Sequence, residues 1–203
     1  MKGLCVDIKS NNLEKIIRTI SEVSDYCDAI KINLQSVLGL TLDEHKQITS
    51  HTNFSIIDAK LGDIGYSNKL ALRFYERAGY DAITFNPYSG NIKETVNNTN
   101  MNVYVLTLMS NPEALRIQEN VYDLVAKESV KSKAYGVVIG ATIPEKYYLN
   151  VREIIGDMSV LHPGIGKQGG GIRKNCLNVV GRSITDSKNV RRSAKKFYER
   201  TRD

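Results

Sequence analysis

A chain of 203 residues, 41% apolar and 25% charged, is long enough to bury one sizeable core and too apolar to be disordered. Its longest apolar stretch, near 103–109, is too short to span a bilayer, so no membrane partner is expected. The net charge of +6 would suit a polyanion, but its distribution, taken up at the end of the chain, argues against one.

Met1 leads at once into the apolar run 3–8, so no signal peptide is expected and a cytoplasmic location follows. Cys5, Cys27 and Cys176 are odd in number and lack metal spacing, which reads as buried free thiols in a reducing compartment. Apolar, β-rich segments then alternate with amphipathic ones. Strands are predicted at 3–8, 27–33, 54–60, 81–86, 102–108, 135–140, 158–162 and 177–181. Helices are predicted at 12–24, 42–51, 66–79, 89–98, 113–132, 144–155 and 186–201. Asn11-Asn12 and Thr41 suit helix caps, Pro112 and Pro144 suit first turns, Gly79 suits a helix stop, and Thr185 or Asp186 suits the cap of the last helix. No linker or composition shift divides 1–203, so a single domain is expected. Eight βα units predict an α/β fold with a parallel sheet, a (β/α)8 TIM barrel, with a doubly wound open sheet as the alternative.

The basic residues of 188–203 are Lys188, Arg191, Arg192, Lys195, Lys196, Arg200 and Arg202, against Glu199 and Asp203. Val190, Ala194, Phe197 and Tyr198 recur on one helical stripe. The segment therefore reads as the solvated face of a docked helix, and no nucleic-acid partner is expected.

In a barrel, function gathers where strands end. Strand ends here carry Asp7, Lys31 and Asn33, Asp58 and Lys60, Asn86, Ser110, His162-Pro163, and Gly181-Arg182. Asp58 and Lys60 share a face of a buried strand, after Phe54 and Ile56, and Gly62 lets the chain turn so that Asp63 returns a second carboxylate near the amine. A structural ion pair is the plain alternative, yet buried charge is costly and perturbed charges cluster at functional sites. Lys31, flanked by isoleucines, joins Asp58 and Lys60 in an alternating network, which favours a charged ammonium at Lys60 and makes it a candidate proton donor. The glycine-rich loop 162–171, through its backbone N–H groups, and the Gly181-Arg182 end suit a phosphate, and the loop is a candidate lid. Gly164-x-Gly166-x-x-Gly169 matches a dinucleotide fingerprint only as text, since no long helix follows, and no Walker lysine is present. His45 and His51 are expected at the surface, and His162 at the mouth, where contact with substrate and a structural role both remain open. No His/Cys/carboxylate set suggests zinc.

These residues resemble the orotidine 5′-monophosphate decarboxylase family over essentially the whole chain. The resemblance rests on Asp7, Lys31, Asp58-x-Lys60-x-x-Asp63-Ile64, Pro163-Gly164…Gln168-Gly169-Gly170 and Gly181-Arg182-Ser183-Ile184. The Asp-x-Lys-x-x-Asp motif is shared with magnesium-dependent sugar-phosphate decarboxylases, which carry an acid where Lys31 stands. The resemblance implies a cofactor-free, metal-free lyase that converts orotidine 5′-monophosphate to UMP, the last step of de novo UMP synthesis. Lys60 would protonate C6 of the pyrimidine, Asp58 would face the substrate carboxylate, Lys31 would hold Asp58, and Asp7 would bind a ribose hydroxyl. Ser110 would contact the base, Gln168, Gly181 and Arg182 the phosphate, with Pro163 and Gly164 also on the substrate. Asp63 and Ile64 would reach into the neighbouring subunit of a homodimer. Ser67 stands where the family commonly has a ribose-contacting threonine. Asn86 and Gly171 depart from its usual histidine and aspartate.

Overall fold

The computed structural model describes residues 1–202. Eight parallel strands, β1 (Gly3–Ile8), β2 (Ala29–Asn33), β3 (Ser55–Leu61), β4 (Ala82–Phe85), β5 (Asn102–Leu108), β6 (Gly136–Ile139), β7 (Ser159–Ile165) and β8 (Leu177–Val180), close into a barrel in chain order. The seam pairs Gly3 with Leu177 and Val6 with Val180, which excludes the open-sheet alternative. Period-two alternation sorts the strand residues. On β1, Leu4, Val6 and Ile8 face the helices, while Cys5 faces the interior with Ala29, Ile56, Ala82, Tyr104, Leu106, Val138, Leu161, Leu177 and Val179. Tyr104 fills the barrel, and its hydroxyl lies 3.0 Å from Ser159 Oγ. Register shifts near the ends of β3, β5 and β7 bend three strands at the mouth.

The helices are α1 (Leu13–Val23), α2 (Leu34–Val37), α3 (Leu42–Ser50), α4 (Gly65–Arg77), α5 (Ile92–Asn97), α6 (Pro112–Gln118), α7 (Tyr122–Lys131), α8 (Glu145–Ile155), α9 (Arg182–Thr185) and α10 (Val190–Arg202). Asn12 caps α1 by accepting from the Lys15 N–H, and Thr41 and Glu44 form a reciprocal capping box on α3. Pro112 opens α6, and Gly79, at φ +86°, follows the end of α4.

Several predicted elements need correction. The continuous helix at 113–132 is two helices, because the Gln118 side chain turns back to accept from the Met109 N–H and the chain turns through 119–121. The last helix is capped by Asn189, whose side chain accepts from the Arg192 N–H, and not by Thr185 or Asp186. Those two residues end and follow the unpredicted α9. His45 is buried, its ring edge-on to Phe74, Tyr75 and Tyr80 and its Nδ1 3.1 Å from the Tyr80 hydroxyl. His51 is exposed as expected. On α10, Ala194 is buried, with Val190, Phe197 and Tyr198 packed against the core. Arg191 and Arg202 pair with Asp25 and Asp28. Asp203, part of the basic segment's charge balance, lies outside the described residues. None of the described helices is long and apolar enough to cross a membrane. The three thiols are free, with Cys5 and Cys176 buried and Cys27 half-buried.

Candidate active site

The carboxyl ends of the strands enclose a cavity of about 330 Å³. Its floor is apolar, formed by Leu106, Val138, Leu161 and Val179, and its wall on the side of β1 to β4 is charged. Asp7, Lys31 and Asp58 meet there because adjacent parallel strands are paired nearly in register: Asp7 opposite Lys31, and Asn33 opposite Asp58.

Lys31 is 4% exposed. Its Nζ donates to Asp58 Oδ2 at 2.6 Å and contacts Asp7 Oδ1 at 2.7 Å. Burial alone would depress this amine, but the carboxylates of Asp7 and Asp58 outweigh it and hold its pKa above that of an ordinary lysine. Asp58 is the mirror case. Burial pushes its carboxyl up, while Lys31 and Lys60 pull it further down, well below the usual carboxylate range. Lys60 Nζ donates to Asp58 Oδ1 at 2.7 Å, and with a side chain 40% exposed it projects into the cavity.

The backbone at Lys60 is unusual. Its φ is +46°, a left-handed conformation that costs a non-glycine residue about 1–2 kcal/mol. The β3–β4 register shift spans this point. The Lys60 N–H donates to Thr84 Oγ1 at 2.9 Å, and Thr84 Oγ1 donates to Asp58 Oδ1 at 2.8 Å. Thr84 thus ties the strained lysine to its carboxylate. Asn33 Nδ2 likewise donates to Asp7 Oδ1 at 2.7 Å. Sequence reasoning assigned Thr84 no role. Its one signal was position: two after Ala82, on the inward face of β4.

Ser110, Pro163, Gly164, Gln168, Gly181 and Arg182 also line the cavity, at the ends of β5, β7 and β8. Three of the predicted site residues do not. Asp63, Ile64 and Ser67 are exposed and lie away from the cavity. The expectation that Asp63 returns to the amine of its own chain fails. Asn68, buried in α4, accepts from the Asp63 N–H at 3.1 Å and donates to its carbonyl oxygen, and the Asp63 carboxylate turns onto the Ile64 N–H at 2.7 Å. Asn86 is exposed and accepts from the Tyr88 N–H in the turn after β4. His162 is not at the mouth. It faces outward, 1% exposed, against Tyr148, and its Nδ1 donates to the Ile139 carbonyl at 2.7 Å. Burial lowers its pKa to about 4, so the ring is neutral.

The glycine-rich loop is docked. The Lys167 N–H donates to Ser183 Oγ at 3.0 Å, the Gly169 N–H to the Gly166 carbonyl, and the Gly170 N–H to the Gly164 carbonyl. At its far end Arg173 pairs with Glu145 and stacks 3.7 Å from the Tyr148 ring centre.

A closed parallel barrel whose charged side chains converge beyond the carboxyl ends of its strands is the arrangement of a barrel enzyme. The chain belongs to the orotidine 5′-phosphate decarboxylase / HUMPS family, whose model matches residues 2–197. It is 34% identical over 197 residues to an orotidine 5′-phosphate decarboxylase of Methanococcoides burtonii, covering 92% of this chain and 91% of that protein. A Pyrococcus abyssi protein of the same name is 29% identical, over 93% and 94% of the two chains. The crystal structure of orotidine 5′-monophosphate decarboxylase from Methanocaldococcus jannaschii, complexed with inhibitor BMP, superposes with a TM-score of 0.88 at 27% identity over the full length of both chains.

Proposed function

We propose that this protein decarboxylates orotidine 5′-monophosphate to UMP without a metal or organic cofactor. The carrying observation is the cluster of Lys31, Asp58 and Lys60 on one wall of an apolar-floored cavity. When the C6–carboxylate bond breaks, its electron pair stays on C6, where no ring carbonyl can delocalise it. Carbon dioxide leaves, and the Lys60 ammonium stabilises the carbanion and gives it a proton. Lys60 is reprotonated from water. Asp58 fixes the ammonium from one side and opposes the substrate carboxylate from the other. Asp7, whose Oδ1 takes both Lys31 and Asn33, offers its Oδ2, 3.5 Å from the exposed Lys9 ammonium, to a ribose hydroxyl. Gln168, Gly181 and Arg182 hold the phosphate, and Ser110 with Pro163 and Gly164 borders the base. Binding energy far from C6 then helps to exclude water at the reacting centre.

The magnesium-dependent alternative is disfavoured by Lys31. Its ammonium stands 2.7 and 2.6 Å from two facing carboxylates, the position in which a divalent cation would need them.

The reading extends to a homodimer in which Asp63 and Ile64 complete the neighbour's site. Tyr66, Leu70 and Phe74 recur every four residues along α4, and with Ile64, Leu38 and Tyr88 they leave apolar surface exposed, Tyr66 at 77% and Tyr88 at 93%. Mixing inactive Lys60→Ala and Asp63→Ala proteins should restore activity, since one site of each mixed dimer is intact. No recovery from a verified mixed dimer rejects the shared site. The primary test follows the loss of orotate absorbance with EDTA-treated protein. Turnover is expected; none, or turnover that needs added magnesium, rejects the proposal.

A further inference from the structure

Three charged residues on the cavity wall are given no role in the scheme above: Lys9, which pairs with Asp7 at the β1 side, and Lys167 and Asp186 at the opposite end. Lys167 stands in the glycine-rich loop beside Gln168, and Asp186 follows α9, the short helix that Arg182 begins. They are paired, Lys167 Nζ donating to Asp186 Oδ2 at 3.0 Å, with both side chains about half exposed. Of the three carboxylates in the lining, Asp7 and Asp58 are engaged by Lys31, and only Asp186 stands at the loop end of the cavity. The Lys167 hydrogen bond, with Arg182 adding to the pull, holds the Asp186 carboxyl below its ordinary pKa.

The backbone under Lys167 has little freedom. Its N–H is held by Ser183 Oγ, and a Cβ on the preceding Gly166 would overlap the Ser183 side chain, so the loop base lies directly on α9. What can move is the Lys167 side chain, with a long flexible stem. It can turn from Asp186 toward the cavity without any displacement of the loop.

We infer that Asp186 is an internal stand-in for the nucleotide phosphate, and that an arriving phosphate displaces it and takes Lys167 as a loop-borne contact beside Arg182. The inference rests on the phosphate placement proposed above. Its physical basis is charge. A phosphate monoester carries about −1.5 to −2 at neutral pH and offers three acceptor oxygens, so it outcompetes a single half-exposed carboxylate for an ammonium. A neutral nucleoside cannot make the exchange. The pair therefore favours phosphorylated over unphosphorylated nucleosides, with Lys167 as a specificity-determining residue.

The test is calorimetric titration of the full chain with UMP and with uridine, for wild type, Lys167→Met, Asp186→Asn and the double variant. Lys167→Met is expected to weaken UMP about tenfold, the worth of one charge-assisted hydrogen bond, and to leave uridine within twofold. Asp186→Asn is expected to tighten UMP about two- to fivefold, the range for releasing a half-exposed ion pair. That gain should shrink in the Lys167→Met background, because the released partner is gone. If Asp186→Asn leaves UMP affinity unchanged or lowers it, or if Lys167→Met weakens uridine as much as UMP, the exchange is wrong while the functional reading stands. Wild type that binds no UMP overturns both.

Discussion

Replacing Lys60 by alanine removes the one cation the proposed chemistry cannot do without. With Nζ 2.7 Å from Asp58 Oδ1 and projecting over the cavity floor, a pyrimidine C6 in van der Waals reach lies about 3.5 Å from the ammonium. At an effective dielectric of about 20, a unit anion there gains about 5 kcal/mol, or between three and four decades in rate. General-acid transfer is worth about two to four decades more. The same amine does both, so the terms overlap, and the expected loss in kcat is about four to six decades. The fold should survive, because the side chain is 40% exposed and Asp58 keeps its bonds from Lys31 and Thr84. The assay is orotate absorbance in single-turnover format, with thermal unfolding run in parallel. A folded Lys60→Ala protein within tenfold of wild type would refute the assignment of the proton donor.

The left-handed backbone at residue 60 predicts that Lys60→Gly is more stable than Lys60→Ala by about 1 kcal/mol, a difference of roughly 2–4 °C in Tm; equal Tm values would argue that no strain resides there. Thr84→Val deletes the hydroxyl between the Lys60 N–H and Asp58, and is expected to lower kcat about ten- to a hundredfold with a smaller change in KM. An unchanged kcat would reduce Thr84 to packing. The neutral, buried His162 has a native pKa of about 4, below its unfolded value of about 6.5. Above pH 6.5 both states are neutral and nothing is lost. As pH falls from 6.5 to 4 only the unfolded state gains the proton, so up to about 3 kcal/mol of stability disappears in that window. Asp58 acts lower, since its depressed pKa loses stability only below the ordinary carboxylate range. Denaturant titrations of wild type and His162→Gln between pH 4 and 7 should differ in slope, and parallel curves would exclude the assignment. Gly136→Ala places a Cβ against the Ser159 carbonyl and the Tyr104 ring inside the barrel, and should cost about 3 kcal/mol or more; a Tm within 3 °C of wild type would count against that packing.

The barrel was legible because parallel strands are buried on both faces, and such strands read as short apolar runs whatever their neighbours are. The cluster of Asp7, Lys31, Asp58 and Lys60 was legible for the opposite reason, since charge at the end of such a run has few explanations other than a partner across the mouth. What escaped depends on contacts that no local pattern encodes. Thr84 is an ordinary strand residue until the β3–β4 register sets it beside Asp58. His45 lies on a polar helix, and only the packing of α3 against Phe74, Tyr75 and Tyr80 buries it. The orientation of Asp63 is decided by Asn68, a helix residue with a buried amide. In the glycine-rich loop of 162–171 the Lys167 N–H is taken by Ser183 on α9, a contact sixteen residues away in sequence. Alternation held along β3, with Asp58 and Lys60 both reaching the cavity, but at Lys60 the backbone departs from a regular strand, turning left-handed beside a register shift. That departure tightens the site: an extended Lys60 would keep its N–H in the sheet ladder, whereas here the N–H is given to Thr84, and Asp58, Lys60 and Thr84 become one hydrogen-bonded unit. The strain is thus retained where three hydrogen bonds of 2.7–2.9 Å converge, which is enough to hold a cost of one or two kcal/mol in place.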